Sequence, residues 1–187
     1  YGERRGILVE HYIISSGLRE IIEGTAIAKD FTHIYASSFY YNEHGEPCWP
    51  AQVINYTNKT QFLFRIEKGI LDINDNAVND HFAEGELRVP FRNIVYIGDS
   101  ATDIPCMRLV NSLGGHSIGV YDLENTASKD TVRRMIRDER IRYYVPADYT
   151  KGSEMDTLMH RIIDKTAAYE VLEEKHLRDK KEAVSLK

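Results

Sequence analysis

A short apolar run, Ile94-Val95-Tyr96-Ile97, stops at Gly98-Asp99 and is followed closely by Asp103, and this stretch constrains the fold more than any other. Four residues rich in β-branched and aromatic side chains are too few for a helix and suit a buried parallel strand. Gly98 permits a sharp turn at the strand's C-terminal end, and Pro105 suits the first turn of a following helix. In an open α/β sheet, ligands gather at that edge. Asp99 and Asp103 can face one crevice there and would need a compensating charge, which a hard divalent cation such as Mg²⁺ supplies. The alternative is local: Asp103 or Thr102 caps a helix and Asp99 fills a turn.

The rest of the chain alternates strand and helix signals. Residues 10–14 read as a strand ending in Ser15-Ser16-Gly17, with Leu18, Ile21 and Ile22 at helical spacing behind it. Alternating runs over 32–56 predict a strand over 33–36 and a β-hairpin around Gly45 that pairs 39–41 with 52–56. Phe39, Tyr40, Tyr41 and Trp49 are expected to pack in the core or against the hairpin, with shielding of a site from water as the alternative. Asn58-Lys59-Thr60 opens a helix that Gly69 terminates, with Phe62, Leu63 and Ile66 on its apolar face. A cation at Lys59 gains nothing from the helix dipole, so either a nearby phosphate or carboxylate or an ordinary surface position accounts for it. Residues 71–90 are polar and irregular. A helix over 105–111, a strand over 117–120, a helix over 127–138, a strand over 140–145 and a long helix over 153–180 complete the series. This order predicts an α/β fold with a three-layer, Rossmann-like parallel sheet and a β-hairpin insertion, divided into a core over 1–165 and a C-terminal helix or tail over 166–187.

Acidic residues outnumber basic ones by 29 to 24, too modest an excess to propose a nucleic-acid or membrane surface as partner. No apolar stretch reaches the length of a transmembrane helix. The polar start Tyr1-Gly2-Glu3-Arg4-Arg5 does not read as a cleavable signal peptide. Cys48 and Cys106 fit no metal-ligand pattern and are expected to be reduced, mostly buried thiols of a cytoplasmic protein. His33, His44 and Cys48 lack the spacing of a zinc site.

Ser15, Lys59 and the Gly98-Asp99 strand end with Asp103 behind it all fall where a parallel sheet would present them at one edge. A serine hydroxyl, the backbone N–H groups of Ser16 and Gly17 and the Lys59 ammonium can hold phosphate oxygens, while the aspartates hold a metal that bridges to the same phosphate. In the segments Ile13-Ile14-Ser15-Ser16-Gly17, Thr57-Asn58-Lys59-Thr60 and Gly98-Asp99-Ser100-Ala101-Thr102-Asp103, the sequence resembles the haloacid dehalogenase-like (HAD) superfamily, whose members are mostly Mg²⁺-dependent phosphatases. The likeness is to phosphoserine phosphatase-like members and spans roughly residues 10–150. It implies that Ser15 and Lys59 orient the phosphoryl group of a small phosphorylated metabolite and that Lys59 offsets charge on the nucleophile. It also implies that Asp99 binds Mg²⁺ and that Asp103 supports the metal site.

The family's nucleophile is the first aspartate of a DxDx[TV] motif that precedes the serine segment, and this sequence contains no such motif; its first aspartate is Asp30. Without that carboxylate, Ser15, Lys59 and Asp99 can bind phosphate and metal but cannot form an aspartyl-phosphate. Because the chain begins at Tyr1 without a methionine and inside an expected helix, the nucleophile strand and a cap segment are expected upstream. The chain alone is expected to be inactive. The competing expectation is a non-catalytic phosphate- or metal-binding member, or an interaction module. Self-association is expected through the C-terminal helix or an exposed sheet edge. A Rossmann-type nucleotide binder fits poorly, because Ser112-Leu113-Gly114-Gly115 lacks the glycine spacing of that fingerprint.

Overall fold

The computed structural model describes residues 1–185, which fall into two units, 10–145 and 1–9 with 146–185. In the larger unit, β1 (Tyr12–Leu18) pairs in parallel with β2 (His33–Tyr41), and β2 pairs antiparallel with β3 (Pro47–Gln52). A second, parallel sheet has the order β4 (Val95–Gly98), β5 (His116–Tyr121), β6 (Tyr143–Pro146). Helices α1 (Arg19–Glu23), α2 (Thr60–Lys68), α3 (Ile104–Ser112) and α4 (Thr126–Arg137) connect the strands. The fold is α/β, as expected, but it holds two three-stranded sheets in place of one. β1 and β4 each end a sheet, with no strand on the other side among the described residues.

The core is less divided than the ladders. α2 sends Leu63 into the apolar cluster of Cys106, Met107, Val110 and Val132, and sends Phe62 and Ile66 into that of Tyr35 and Ile54. Ile14 of β1 packs on both clusters, so one core continues beneath two sheets that share no backbone ladder. β5 is buried along its whole length, and its polar Ser117 is accordingly satisfied. The Ser117 hydroxyl donates to Asn111 Oδ1 at 3.0 Å and accepts the Arg142 N–H at 3.0 Å.

Gly69 ends α2 in the left-handed conformation, φ 74°, as its position predicts. The polar stretch that follows is irregular, and two cations of α2 organise it. The buried Arg65 guanidinium donates to the carbonyls of Asp72 at 2.6 Å, Ile73 at 2.8 Å and Asp75 at 3.2 Å. Lys68 donates to those of Val78 at 2.8 Å and Asp80 at 2.7 Å.

Four expectations are corrected. β1 does not stop before the serines but runs through Ser15-Ser16-Gly17 to Leu18, and β2 is continuous from His33 to Tyr41, so the return strand of the hairpin is β3 and not residues 52–56. Of the two placements expected for the aromatic residues, the hairpin holds and the core does not: Tyr40 and Trp49, opposite each other in the ladder, are 63% and 72% exposed. The reason is geometric. β2 outruns β1, whose last partner is Ser37, so from Ser38 onward it pairs with β3 alone as a two-stranded ribbon. Pro47 and Pro50 fit an edge strand, where a missing N–H costs no ladder bond. Finally, Cys106 is buried but Cys48, on that ribbon, is exposed.

In the smaller unit a 3-10 turn, Glu3–Arg5, closes at Gly6, and α5 (Glu154–Ser185) runs past the expected end at residue 180. Ser153 opens α5 by accepting the Asp156 N–H at 3.1 Å. The Tyr1 ring stacks on His160 at 3.8 Å, and Asp164 accepts both the Tyr1 hydroxyl at 2.8 Å and Arg5 Nε at 2.9 Å. Met155 and Ile162 are buried, whereas Leu172 and Val184 are exposed, so the apolar side chains of the helix are covered only over its first turns. No helix among the described residues is long and apolar enough to cross a membrane.

Candidate functional site

β4 ends at Gly98 because the side chain of Asp103 lies against it. A Cβ at Gly98 would meet Asp103 Cβ, Cγ and Oδ2 at 2.8 Å, so only glycine admits that approach. One 3-10 turn, Ala101–Asp103, leads into α3, with Pro105 in its first turn. Asp103 occupies the N-cap position of α3, yet its side chain makes no cap hydrogen bond. It turns inward and is 6% exposed. Lys59 Nζ and the Tyr96 hydroxyl both donate to Asp103 Oδ1 at 2.8 Å, and the Ser100 hydroxyl donates to Oδ2 at 3.2 Å. Capping therefore does not explain Asp103.

Lys59 is the N-cap residue of α2 and is 6% exposed. A buried ammonium at a helix N-terminus is opposed by the dipole and by desolvation. Its ion pair with Asp103 at 2.8 Å offsets both. Burial pushes the Tyr96 phenol well above its usual range, with the neighbouring Cys106 and Asp103 adding to the effect. Burial likewise pushes the Cys106 thiol up to about 11. Both groups keep their protons at neutral pH. Asp103 and Cys106 lie three apart at the start of α3, where side chains of that spacing share a face.

On β1, the ladder steps from Ile14 opposite Tyr35 to Leu18 opposite Ser37, so Ser15-Ser16-Gly17 bulges out of register. Ser15 Oγ accepts the Gly17 N–H at 3.0 Å, while Ser37 Oγ donates to the Ser16 carbonyl at 3.2 Å and accepts the Ile54 N–H at 3.0 Å. The Gly17 N–H is thus engaged inside the bulge, and the Ser15 hydroxyl proton has no acceptor among the described residues. Ser15 is half-buried; Ser16, Gly17 and Asp99 are exposed. Of the residues singled out in the sequence, Lys59 and Asp103 are in direct contact, and Ser15, Ser16, Gly17 and Asp99 make no hydrogen bond to that pair among the described residues.

No group of three or more His, Cys, Asp or Glu side chains is arranged as metal ligands among the described residues. The oxygen donors at the end of β4 are the exposed Asp99 carboxylate and Asp103 Oδ2. Mg²⁺ takes one or two carboxylates and completes its shell with water and phosphate oxygens, and carboxylate oxygens are the donor type present here.

Tyr96, Ser100 and Cys106 escape a reading of the sequence. Tyr96 looks like one more apolar residue of β4; the single hint is a hydroxyl two positions before a glycine, where a phenylalanine would pack as well.

No family model matches the chain. An uncharacterised protein from Borreliella burgdorferi is 24% identical over 161 residues, covering 79% of this chain and 55% of that protein. The chain therefore spans about half the length of the curated relative it matches.

Proposed function

We propose that this chain carries the phosphate- and metal-facing edge of a Mg²⁺-dependent phosphatase of the haloacid dehalogenase-like type, acting on a small phosphomonoester in the cytoplasm. The observation that carries the reading is the buried Lys59–Asp103 pair. Its ammonium spends one N–H on Asp103 and has further N–H donors for an incoming acceptor. A phosphoryl oxygen and a nucleophilic carboxylate are acceptors of the required charge.

The sheet edges support the same reading. Among the described residues β1 and β4 each lack a partner on one side, while Ile14 carries the core from one sheet to the other. A parallel strand added between them would join the two ladders into a three-layer, Rossmann-like sheet and bring a carboxylate to Lys59. In this reading the strand, like the cap that selects the substrate, belongs to polypeptide upstream of Tyr1. Ser15 donates its hydroxyl to a phosphoryl oxygen, and Lys59 neutralises charge between phosphate and nucleophile. Asp99 and Asp103 Oδ2 would hold Mg²⁺, which when bound adds positive charge beside the phosphoryl oxygens. The upstream carboxylate attacks phosphorus, the alcohol leaves, and water cleaves the resulting acyl phosphate.

One observation favours a non-catalytic phosphate- or metal-binding module instead. Asp103 is the carboxylate that compensates Lys59 here, and no second one bonds to it among the described residues. The two readings differ in turnover. The natural polypeptide with its upstream residues is expected to hydrolyse p-nitrophenyl phosphate in the presence of Mg²⁺, followed by nitrophenolate absorbance, and the 187-residue chain alone is expected not to. A longer protein that is folded and binds Mg²⁺ but shows no turnover would establish the binding reading in its place.

A further inference from the structure

We propose that Tyr96 is a positioning residue: its buried hydroxyl commits Asp103 Oδ1 to Lys59, aims the lysine's remaining N–H donors, and leaves metal contact to Asp99 and Asp103 Oδ2. The functional consequence rests on the phosphatase reading; the hold on Lys59 does not.

The geometry is that of a saturated acceptor. Asp103 Oδ1 receives Lys59 Nζ and the Tyr96 hydroxyl, each at 2.8 Å, which fills both lone pairs of that oxygen. Among the described residues Oδ2 receives only the Ser100 hydroxyl, at the longer distance of 3.2 Å, and keeps capacity for another partner. A carboxylate held at a single oxygen by a lysine alone can rotate about its Cβ–Cγ bond. A second donor on that oxygen, fixed to the rigid strand β4, removes this freedom. Tyr96 is itself fixed: its ring is 8% exposed and lies in the same apolar cluster as the fully buried Cys106. A buried hydroxyl costs stability unless it is bonded, and a phenylalanine would fill the same apolar space, so packing does not account for the oxygen.

The test is Tyr96→Phe, which keeps the ring and removes the oxygen. In the 187-residue chain, the ¹⁵Nζ–H signal of Lys59 is expected to be observable because the ammonium is buried and paired, and in the variant it should shift and exchange faster. An unchanged Lys59 signal in folded Tyr96→Phe would overturn the proposal, whether or not the longer polypeptide is a phosphatase. In that polypeptide, the variant is expected to lower kcat about tenfold, the size of one hydrogen bond to a charged group. KM for p-nitrophenyl phosphate should stay within about twofold, and Mn²⁺, titrated by its EPR signal, should bind as tightly as before or more tightly. A loss of Mn²⁺ affinity in parallel with kcat, or no change in kcat, would equally overturn it. Absent turnover in the wild-type longer polypeptide would instead remove the phosphatase reading and leave the lysine signal to decide the role of Tyr96.

Discussion

Replacing Lys59 by methionine is expected to destabilise the chain by about 3–5 kcal/mol, seen as a lower urea midpoint. The side chains of Lys59 and Asp103 are 8% and 9% exposed, so removing the ammonium leaves a carboxylate in the core with, among the described residues, two hydroxyl donors, from Tyr96 and Ser100. The cost is that of an uncompensated buried charge, and it is much larger than the contribution of an exposed ion pair. The pair's own net worth is smaller, because burying both charges has already cost solvation. The double variant Lys59→Met with Asp103→Asn is therefore expected to recover more than half of the loss, since asparagine can still accept from Tyr96 without a charge. If Lys59→Met unfolds within about 0.5 kcal/mol of the wild type, the pair is not buried as described.

Asp99→Asn is expected to do the opposite. Asp99 is exposed at the end of β4, and a surface change of this kind should move stability by no more than about 0.5 kcal/mol. In the polypeptide with its upstream residues, the same change is expected to lower Mg²⁺-dependent hydrolysis about a thousandfold, equivalent to roughly 4 kcal/mol of transition-state stabilisation. The two variants therefore separate the groups that hold the site together from the group that faces the metal. Activity retained within about tenfold in Asp99→Asn would place the metal elsewhere or remove it from the reaction.

The order of strands and helices was legible in the sequence because each element carries its own period and its own punctuation. β4 announced itself through four apolar residues and Gly98, and α2 through Phe62, Leu63, Ile66 and the terminating Gly69. What stayed hidden depends on residues distant in sequence. Ser15-Ser16-Gly17 belongs to β1 as a bulge because Ser37, on the neighbouring strand, takes the Ser16 carbonyl. The break between the two sheets concerns which strands lie side by side, and no local pattern encodes adjacency. Phe39, Tyr40, Tyr41 and Trp49 satisfy every local sign of a packed hairpin; their exposure follows from β2 being longer than β1. At Asp103 two local readings were equally good, a helix cap and a site carboxylate, and only the contact with Lys59, 44 positions away, separates them. Tyr96 was hidden by its own packing, since the ring of a buried tyrosine is indistinguishable from that of phenylalanine in a pattern of apolar residues, and the hydroxyl matters only because of what it meets.

Acid quenching of the upstream-extended polypeptide, mixed with a radiolabelled phosphomonoester and Mg²⁺, reads the proposed chemistry at its intermediate. Label should appear on the protein and be released by hydroxylamine, as an acyl phosphate on a carboxylate nucleophile requires. A folded, metal-binding protein that takes up no label, or one whose label survives hydroxylamine, would contradict the assignment of this edge to phosphoryl transfer through an aspartyl-phosphate.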